Sequence, residues 1–302
     1  MSARRDLSGG NFTATIHSTT YEYISPLRLD LAGKHVLITG AAWENGIGYA
    51  TATAFACAGA SAIALADLYG IADDLHVKLK TAATDAGRPE PVVLRCTVDI
   101  AQPDSVQAMY DTVSQGFGGR LDIVVNNAAH QEPYKPLLEA DADVYWRTWE
   151  VNIRGLINMT RIFLPMQLSS RASNNGLCTI INVSSSGALT ARPGSGSYRS
   201  SKLAILRWTE TLQLEYGDKG LLTFCVNPGA IRTEITRNEP QELRDALPHR
   251  PDIAGDTITW LAAERKEWLG GRYVNCPWDM EELMKKKDEI IEKDKLKMRM
   301  AF

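Results

Sequence analysis

Seven short apolar runs recur along the chain without the polar alternation of a half-exposed strand: residues 35–40 (HVLITG), 61–67, 91–98, 121–127, 178–184, 221–227 and 272–276. Strands of this kind are covered on both faces, which is the mark of a parallel sheet. Between them lie 46–58, 70–86, 103–116, 141–169, 197–216 and 252–266, each long enough for a helix. Regular strand-then-helix order predicts one α/β domain, a doubly wound parallel sheet in three α/β/α layers, over residues 31–278. Residues 1–30 carry Ser, Thr, Gly and Tyr with no sustained period and read as an N-terminal extension. Residues 279–302 are a highly charged stretch of helical character, read either as a solvated helix or as a tail that grips a partner subunit.

Within 197–216 two apolar stripes emerge at helical spacing: Leu203, Leu206 and Leu214 on one side, Ile205, Trp208 and Leu212 on the other. One stripe can bury against the sheet. The second needs another cover, most simply the same helix of a neighbouring subunit, so a homodimer or homotetramer is expected.

Composition narrows the function classes. Lys and Arg total 33 against 36 Asp and Glu, a formal charge of −3, with 44% hydrophobic and 23% charged residues. These are values of a soluble globular chain with no field for a polyanion, so neither nucleic acid nor a membrane surface is an expected partner. The five cysteines (Cys57, Cys96, Cys178, Cys225, Cys276) are scattered, with no C-x-x-C spacing, and the five histidines form no H-E-x-x-H pair. A metal site is not expected, and a reduced, cytoplasmic compartment is. The N-terminus has two arginines but no apolar run after them, so it does not read as a secretion signal.

The candidate chemistry begins at the end of the first strand. Thr39-Gly40-Ala41-Ala42-Trp43-Glu44-Asn45-Gly46-Ile47-Gly48 leads directly into a helical segment. Glycines are needed where the chain turns tightly and its backbone approaches a pyrophosphate at a helix N-terminus. Asp67 follows Gly48 by 19 residues, at the end of the second strand. A carboxylate there accepts from the ribose 2′-hydroxyl of NAD and repels the 2′-phosphate of NADP. Leu68, Tyr69 and Gly70 supply no cation and Glu44 has the wrong sign for a phosphate. NAD(H) is therefore favoured, with NADP(H) left open should Lys34 or a residue from elsewhere reach the site.

Taken in order, these motifs resemble the short-chain dehydrogenase/reductase family from about Leu31 to Cys276, and the segment around Trp278-Asp279 is most similar to members from filamentous fungi. The resemblance implies a Rossmann-like fold and a set of residue roles. Gly40, Asn45, Gly46, Ile47 and Gly48 match the glycine motif, here two residues longer than usual between Gly40 and Gly46. Asp99 matches the adenine-contacting aspartate. Asn126-Asn127-Ala128-Ala129 matches N-N-A-G with alanine in place of the glycine. Pro228, Gly229, Ile231 and Thr233 match the nicotinamide-side segment. Asn152, Ser185, Tyr198 and Lys202 fall where the family keeps its catalytic four. By the same resemblance Lys202 holds the nicotinamide ribose and Asn152 holds a water linking Lys202 to solvent. Asn127 reads equally well as a structural bridge between central strands, and Asp99 as a strand-end turn residue.

The spacing of the four has chemical content of its own. Tyr198 and Lys202 are four apart in a helical stretch, so they share one face. A free phenol is a poor base at neutral pH, and bringing its pKa from about 10 to about 7 needs roughly 4 kcal/mol of selective phenolate stabilisation. A neighbouring ammonium and an oxidised nicotinamide have the right sign. Ser185 precedes Tyr198 by 13 residues at a strand end, where its hydroxyl would orient a substrate carbonyl; Ser184 and Ser186 flank it. No G-x-S-x-G elbow supports a serine nucleophile.

The substrate pocket is expected from His130, Gln131 and Tyr134, from Ala188 and Leu189, and from 230–250, whose four arginines (Arg232, Arg237, Arg244, Arg250) lean toward a small polar or phenolic carbonyl compound. His130 reads as loop packing or as a substrate contact. The whole reads as an NAD(P)-dependent oxidoreductase interconverting an alcohol and a ketone, with Tyr198 as acid and base. A non-redox isomerase or cyclase in the same pocket, or a cofactor-binding sensor without turnover, are the rivals.

Overall fold

The computed structural model describes residues 9–174 and 176–300. All seven apolar runs are strands: β1 His35–Thr39, β2 Ala62–Asp67, β3 Val92–Thr97, β4 Ile123–Asn126, β5 Thr179–Val183, β6 Leu222–Asn227 and β7 Arg272–Asn275. They form one parallel sheet in the order β3-β2-β1-β4-β5-β6-β7, as expected of a Rossmann-like fold. The helices are α1 Ile47–Cys57, α2 Asp73–Asp85, α3 Pro103–Gly116, α4 Ala142–Trp149, α5 Leu156–Asn174, α6 Gly196–Tyr216, α7 Gln241–Asp245, α8 Pro251–Ala263, α9 Met280–Lys285 and α10 Lys287–Glu292.

Alternation along each strand sorts side chains into two cores. Val36 and Ile38 of β1 join Ile63, Leu65, Ile123 and Val125 on one face; Leu37 joins Ala64, Val124 and Ile180 on the other. Each fully buried Leu, Ile or Val contributes about 1.5–3 kcal/mol of transfer free energy, which is why uninterrupted apolar runs become interior strands. Strand order reverses between β1 and β4, and a crevice opens there beyond the carboxyl ends of the strands. Lys34 lies at the amino end of β1, the opposite edge from that crevice.

Two sequence readings change. The long 141–169 helix is broken: Asp141 caps α4 by accepting from Asp143 and Val144 N–H at 3.0 Å each, and a π-helical turn, Glu150–Gly155, separates α4 from α5. The two stripes of α6 do not stay distinct. Ile205, Leu206 and Leu212 are all buried, whereas Leu203 and Leu214 remain 38% and 78% exposed.

The chain ends pack against each other on the domain. Ile16 bridges Trp278, and His17 N–H donates to the Pro277 carbonyl at 2.7 Å. Trp278 is 1% exposed and donates its indole N–H to the Gly9 and Gly10 carbonyls at 3.0 and 3.2 Å. Met280, Leu283 and Ile290 are fully buried, so the charged tail is not a solvated helix. Beyond α10, Tyr273 N–H donates to the Leu296 carbonyl at 2.8 Å, covering the open edge of β7, and Arg299 pairs with Glu210 of α6 at 2.7 Å. Among the described residues no helix is long and apolar enough to cross a membrane, and no group of three or more His, Cys, Asp or Glu is placed to hold a metal ion.

Candidate active site

A cleft of about 320 Å³ lies at the carboxyl edge of the sheet, where β1 meets β4. Gly40, Gly46 and Ile47 line one end of it and Tyr198, Lys202, Pro228 and Thr233 the other. Gly40 has φ +73°, and a Cβ there would stand 2.8 Å from the Ala128 backbone. At Gly48 a Cβ would stand 2.2 Å from the Gly40 carbonyl oxygen, so the helix start can approach the turn only without a side chain. The two extra residues of the motif are taken up by a turn in which Gly46 N–H donates to the Trp43 carbonyl at 2.8 Å, with Trp43 itself on the cleft wall. Glu44 is exposed there and pairs with Lys78 at 2.7 Å. Gly46 caps α1 without a side chain, leaving amide donors for an anion at a helix N-terminus. These features fit a dinucleotide.

At the adenosine end Asp67 is buried on the cleft wall and accepts from Ala42 N–H at 3.0 Å and Tyr69 N–H at 3.1 Å, one bond per oxygen. Each oxygen keeps a lone pair for a ribose hydroxyl. Asp99 also lines the cleft, with one oxygen on Ala101 N–H at 3.0 Å and the other on the Arg147 guanidinium at 2.8 Å. Both the turn role and an ion pair absent from the sequence reading are thus on view. Asn127 bridges strands, its amide donating to the Thr39 and Gly40 carbonyls at 3.0 and 2.9 Å. Asn126 is buried and donates to Asn182 at 2.8 Å. Ala128 lines the cleft; Asn45 is exposed, Ile231 is in the core and Gly229 holds φ +107°.

Of the predicted four, Tyr198 and Lys202 line the other end of the cleft; Ser185 and Asn152 are not among its lining residues. Ser185 is the neighbour that pulls the Tyr198 phenol down, and its own hydroxyl accepts from Gly187 N–H at 3.0 Å. The Lys202 ammonium lies 5.6 Å from the Tyr198 ring centroid and donates to the Val183 carbonyl at 2.8 Å. The flanking serines point elsewhere: Ser184 donates to the Lys202 carbonyl at 2.7 Å, and Ser186 is held through its N–H by Asn227 at 2.9 Å. Asn152 sits in the π turn, where the extra residue of a wider helical turn re-aims a side chain. Its amide oxygen accepts from His130 N–H at 2.8 Å, and its amide nitrogen donates to the His130 carbonyl at 3.0 Å and to Ser201 at 2.9 Å.

Burial moves both ionisable groups away from their charged forms. It pushes the Tyr198 phenol up, against the pull of the Ser185 hydrogen bond, and the Lys202 ammonium down to about 8. The lysine alone therefore does not bring the phenol toward neutrality.

Residues 34–244 match the family described as short chain dehydrogenase. The chain belongs to that family. The short chain dehydrogenase citE of Monascus ruber is 41% identical over 98% of both chains, and pigC of the same organism is 39% identical over 96% of this chain and 94% of its own. The 3-oxoacyl-[acyl-carrier-protein] reductase FabG of Thermotoga maritima is 31% identical over 81% of this chain and 96% of its own. Among solved structures, the 3-ketoacyl-(acyl-carrier-protein) reductase of Brucella melitensis complexed with NADH superposes with TM-score 0.69 at 26% identity, covering 82% of this chain and 97% of that one.

This short-chain dehydrogenase also holds residues that sequence reasoning missed. Glu132 accepts from Tyr198 N–H, and Thr148 donates to Glu132 at 3.1 Å. Asn238 donates to the Gln131 carbonyl at 2.9 Å and Gln131 to Glu239 at 3.3 Å, so the 230–250 segment is clasped to the loop after Ala129. Of the expected substrate-side residues, His130, Gln131 and Arg237 line the cleft, joined by Asn238, whereas Tyr134, Ala188, Leu189, Arg232, Arg244 and Arg250 are not among its lining residues. No single spacing signals these contacts, because each depends on two loops meeting.

Proposed function

We propose that the protein interconverts a ketone and an alcohol on a small polar or phenolic substrate, with NAD(H) as the favoured cofactor. The observation that carries this reading is the Lys202 ammonium 5.6 Å from the Tyr198 ring centroid, at one end of a cleft whose other end holds Gly46 and Asp67. Bound reduced nicotinamide supplies the hydride that makes the new C–H bond. Ser185 holds the substrate oxygen, and Tyr198 gives that oxygen its phenolic proton; in the oxidative direction Tyr198 takes the proton back. Lys202, with its ammonium anchored on the Val183 carbonyl, balances the phenolate and holds the nicotinamide ribose.

Support for NAD comes from the buried Asp67 and from Arg95, the cation lining the adjoining hollow, which is already paired with Asp73. The name of the Thermotoga relative supports ketone reduction. Gln131, Arg237, Asn238 and the nearby Glu239 favour a substrate with polar substituents over a long acyl chain. Self-association into a homodimer or homotetramer belongs to the same proposal, with Leu203 and Leu214 of α6 as the uncovered face; light scattering that finds only a 33.3 kDa species overturns it.

The test is a panel of small hydroxylated aryl ketones and aliphatic ketones, each with NADH and NADPH, following nicotinamide absorbance and product together. Loss of absorbance in step with alcohol formation is expected. Product without an absorbance change moves the chemistry to isomerisation, and cofactor binding without product from any compound leaves a sensor.

A further inference from the structure

We propose that Glu132 and Thr148 are positioning residues for Tyr198, members of a closed ring of hydrogen bonds that sets the catalytic tyrosine against Asn152 and fixes which nitrogen of His130 carries its proton. The proposal rests on Tyr198 as the acid and base.

Every link of the ring is a direct bond. Both Glu132 carboxylate oxygens accept from Tyr198 N–H, at 3.0 and 3.1 Å. The Tyr198 carbonyl accepts from the Ser201 hydroxyl at 2.7 Å, and Ser201 accepts from the Asn152 amide at 2.9 Å. Asn152 clamps the His130 backbone at both its N–H and its carbonyl. The His130 ring returns through Nδ1 to the Thr148 hydroxyl at 2.9 Å, and Thr148 donates to Glu132 at 3.1 Å.

The position of Glu132 explains why a carboxylate is needed. Tyr198 N–H is one of the free donors in the first turn of α6, and the N-cap, Ser195, makes no side-chain cap bond. Glu132, 66 residues away in sequence, takes that task. It is 2% exposed and has no ion-pair partner among the described residues. A buried carboxylate is costly unless donors and a helix N-terminus offset it, and both are present here. Because both oxygens meet the same N–H, glutamine in either orientation turns an amide N–H donor against the Tyr198 donor.

The ring also has a direction. The single Thr148 proton has Glu132 at 3.1 Å and the Val144 carbonyl at 3.5 Å as acceptors, and with the proton on either of these His130 Nδ1 is the donor to Thr148. The neutral imidazole then carries its lone pair on Nε2. Burial and the Arg147 charge hold the His130 ring below its ordinary pKa, in keeping with a neutral ring.

Nitrogen NMR of the imidazoles, with His130 assigned by its loss in His130→Gln, tests the direction without any turnover: Nδ1 protonated and Nε2 bare is expected, and the reverse tautomer overturns the proposal. In the full chain, Glu132→Gln should lower kcat for whichever ketone is turned over by about 10- to 100-fold, as small misplacements of a reacting group do, with NADH affinity unchanged. Wild-type kcat in Glu132→Gln, or equal losses in kcat and NADH affinity, overturns it. Should Glu132→Gln fail to fold, Thr148→Val and Thr148→Ser decide: Val should lower kcat and Ser restore it, and equal behaviour of the two overturns the ring. A wild-type protein that reduces no ketone removes the acid and base reading, while the tautomer measurement still decides the ring.

Discussion

The cleft and the seam between the chain ends both rest on polar groups, but the two put them to different use. In the cleft, Tyr198 and Lys202 lose hydration and are driven toward their neutral forms, so a charged ligand arriving there changes their ionisation. In the seam, Trp278, Tyr21, Glu282 and His17 bridge parts of the chain some 250 residues apart and only hold: Tyr21 accepts from Met280 N–H at 2.6 Å, and His17 meets Asp279 at 2.9 Å.

The largest effect that tests this contrast is Tyr198→Phe. It should lower kcat by about 10²- to 10⁴-fold while titration of NADH into the protein gives wild-type affinity, because only the proton transfer is lost. Loss of affinity in parallel would make the tyrosine a binding group. In the seam, Trp278→Ala removes a fully buried indole packed tilted against Phe12 and edge-on against Tyr273, at ring distances of 5.1 and 5.9 Å. Chemical unfolding should show about 3–5 kcal/mol lost, with kcat well below the melting temperature kept at the wild-type level. A drop in kcat without a drop in stability would join the two regions functionally.

The cleft was far more legible than the seam. Uninterrupted apolar runs could only be interior strands, and the 13- and 4-residue spacings placed Ser185, Tyr198 and Lys202 on one strand end and one helix face. Glu132 was not legible, because in HQEPYK it reads as one more polar loop residue; its burial is decided by α4 and α6 closing over it. The seam was illegible for a related reason. Residues 9–21 have no apolar period because backbone bonds and glycine carbonyls, rather than a stripe, attach them to Trp278. The tail looked solvated because Met280, Leu283 and Ile290 are few among charges, yet each is wholly buried.

A smaller effect probes the recognition end of the cleft. Asp67→Asn should raise the NADPH-to-NADH ratio of kcat/KM by about 100-fold, near 2.7 kcal/mol, since like charges facing each other cost several kcal/mol. Absolute activity with NADH should fall as well, because an amide N–H then faces the Ala42 or Tyr69 donor. An unchanged ratio would assign cofactor choice to other residues.

The smallest effect belongs to the seam and runs against intuition. Asp256 of α8 is buried where Thr20 of the N-terminal extension donates to it, and desolvation, with Asp252 adding to it, raises its carboxyl from 3.8 to about 6. A carboxyl that holds its proton more tightly when folded contributes stability that is complete below about pH 4. That contribution is lost as pH rises toward 6 and stays lost above it. Asn at this position accepts the same Thr20 bond and has no charge to bury. Asp256→Asn should therefore stabilise the protein by about 2 kcal/mol at pH 7.5, a shift of about two units at 1.36 kcal/mol each setting the upper bound, and should leave stability at pH 4 unchanged. Urea midpoints at the two pH values decide it. Destabilisation at pH 7.5 would mean that the seam needs the carboxylate in its charged form.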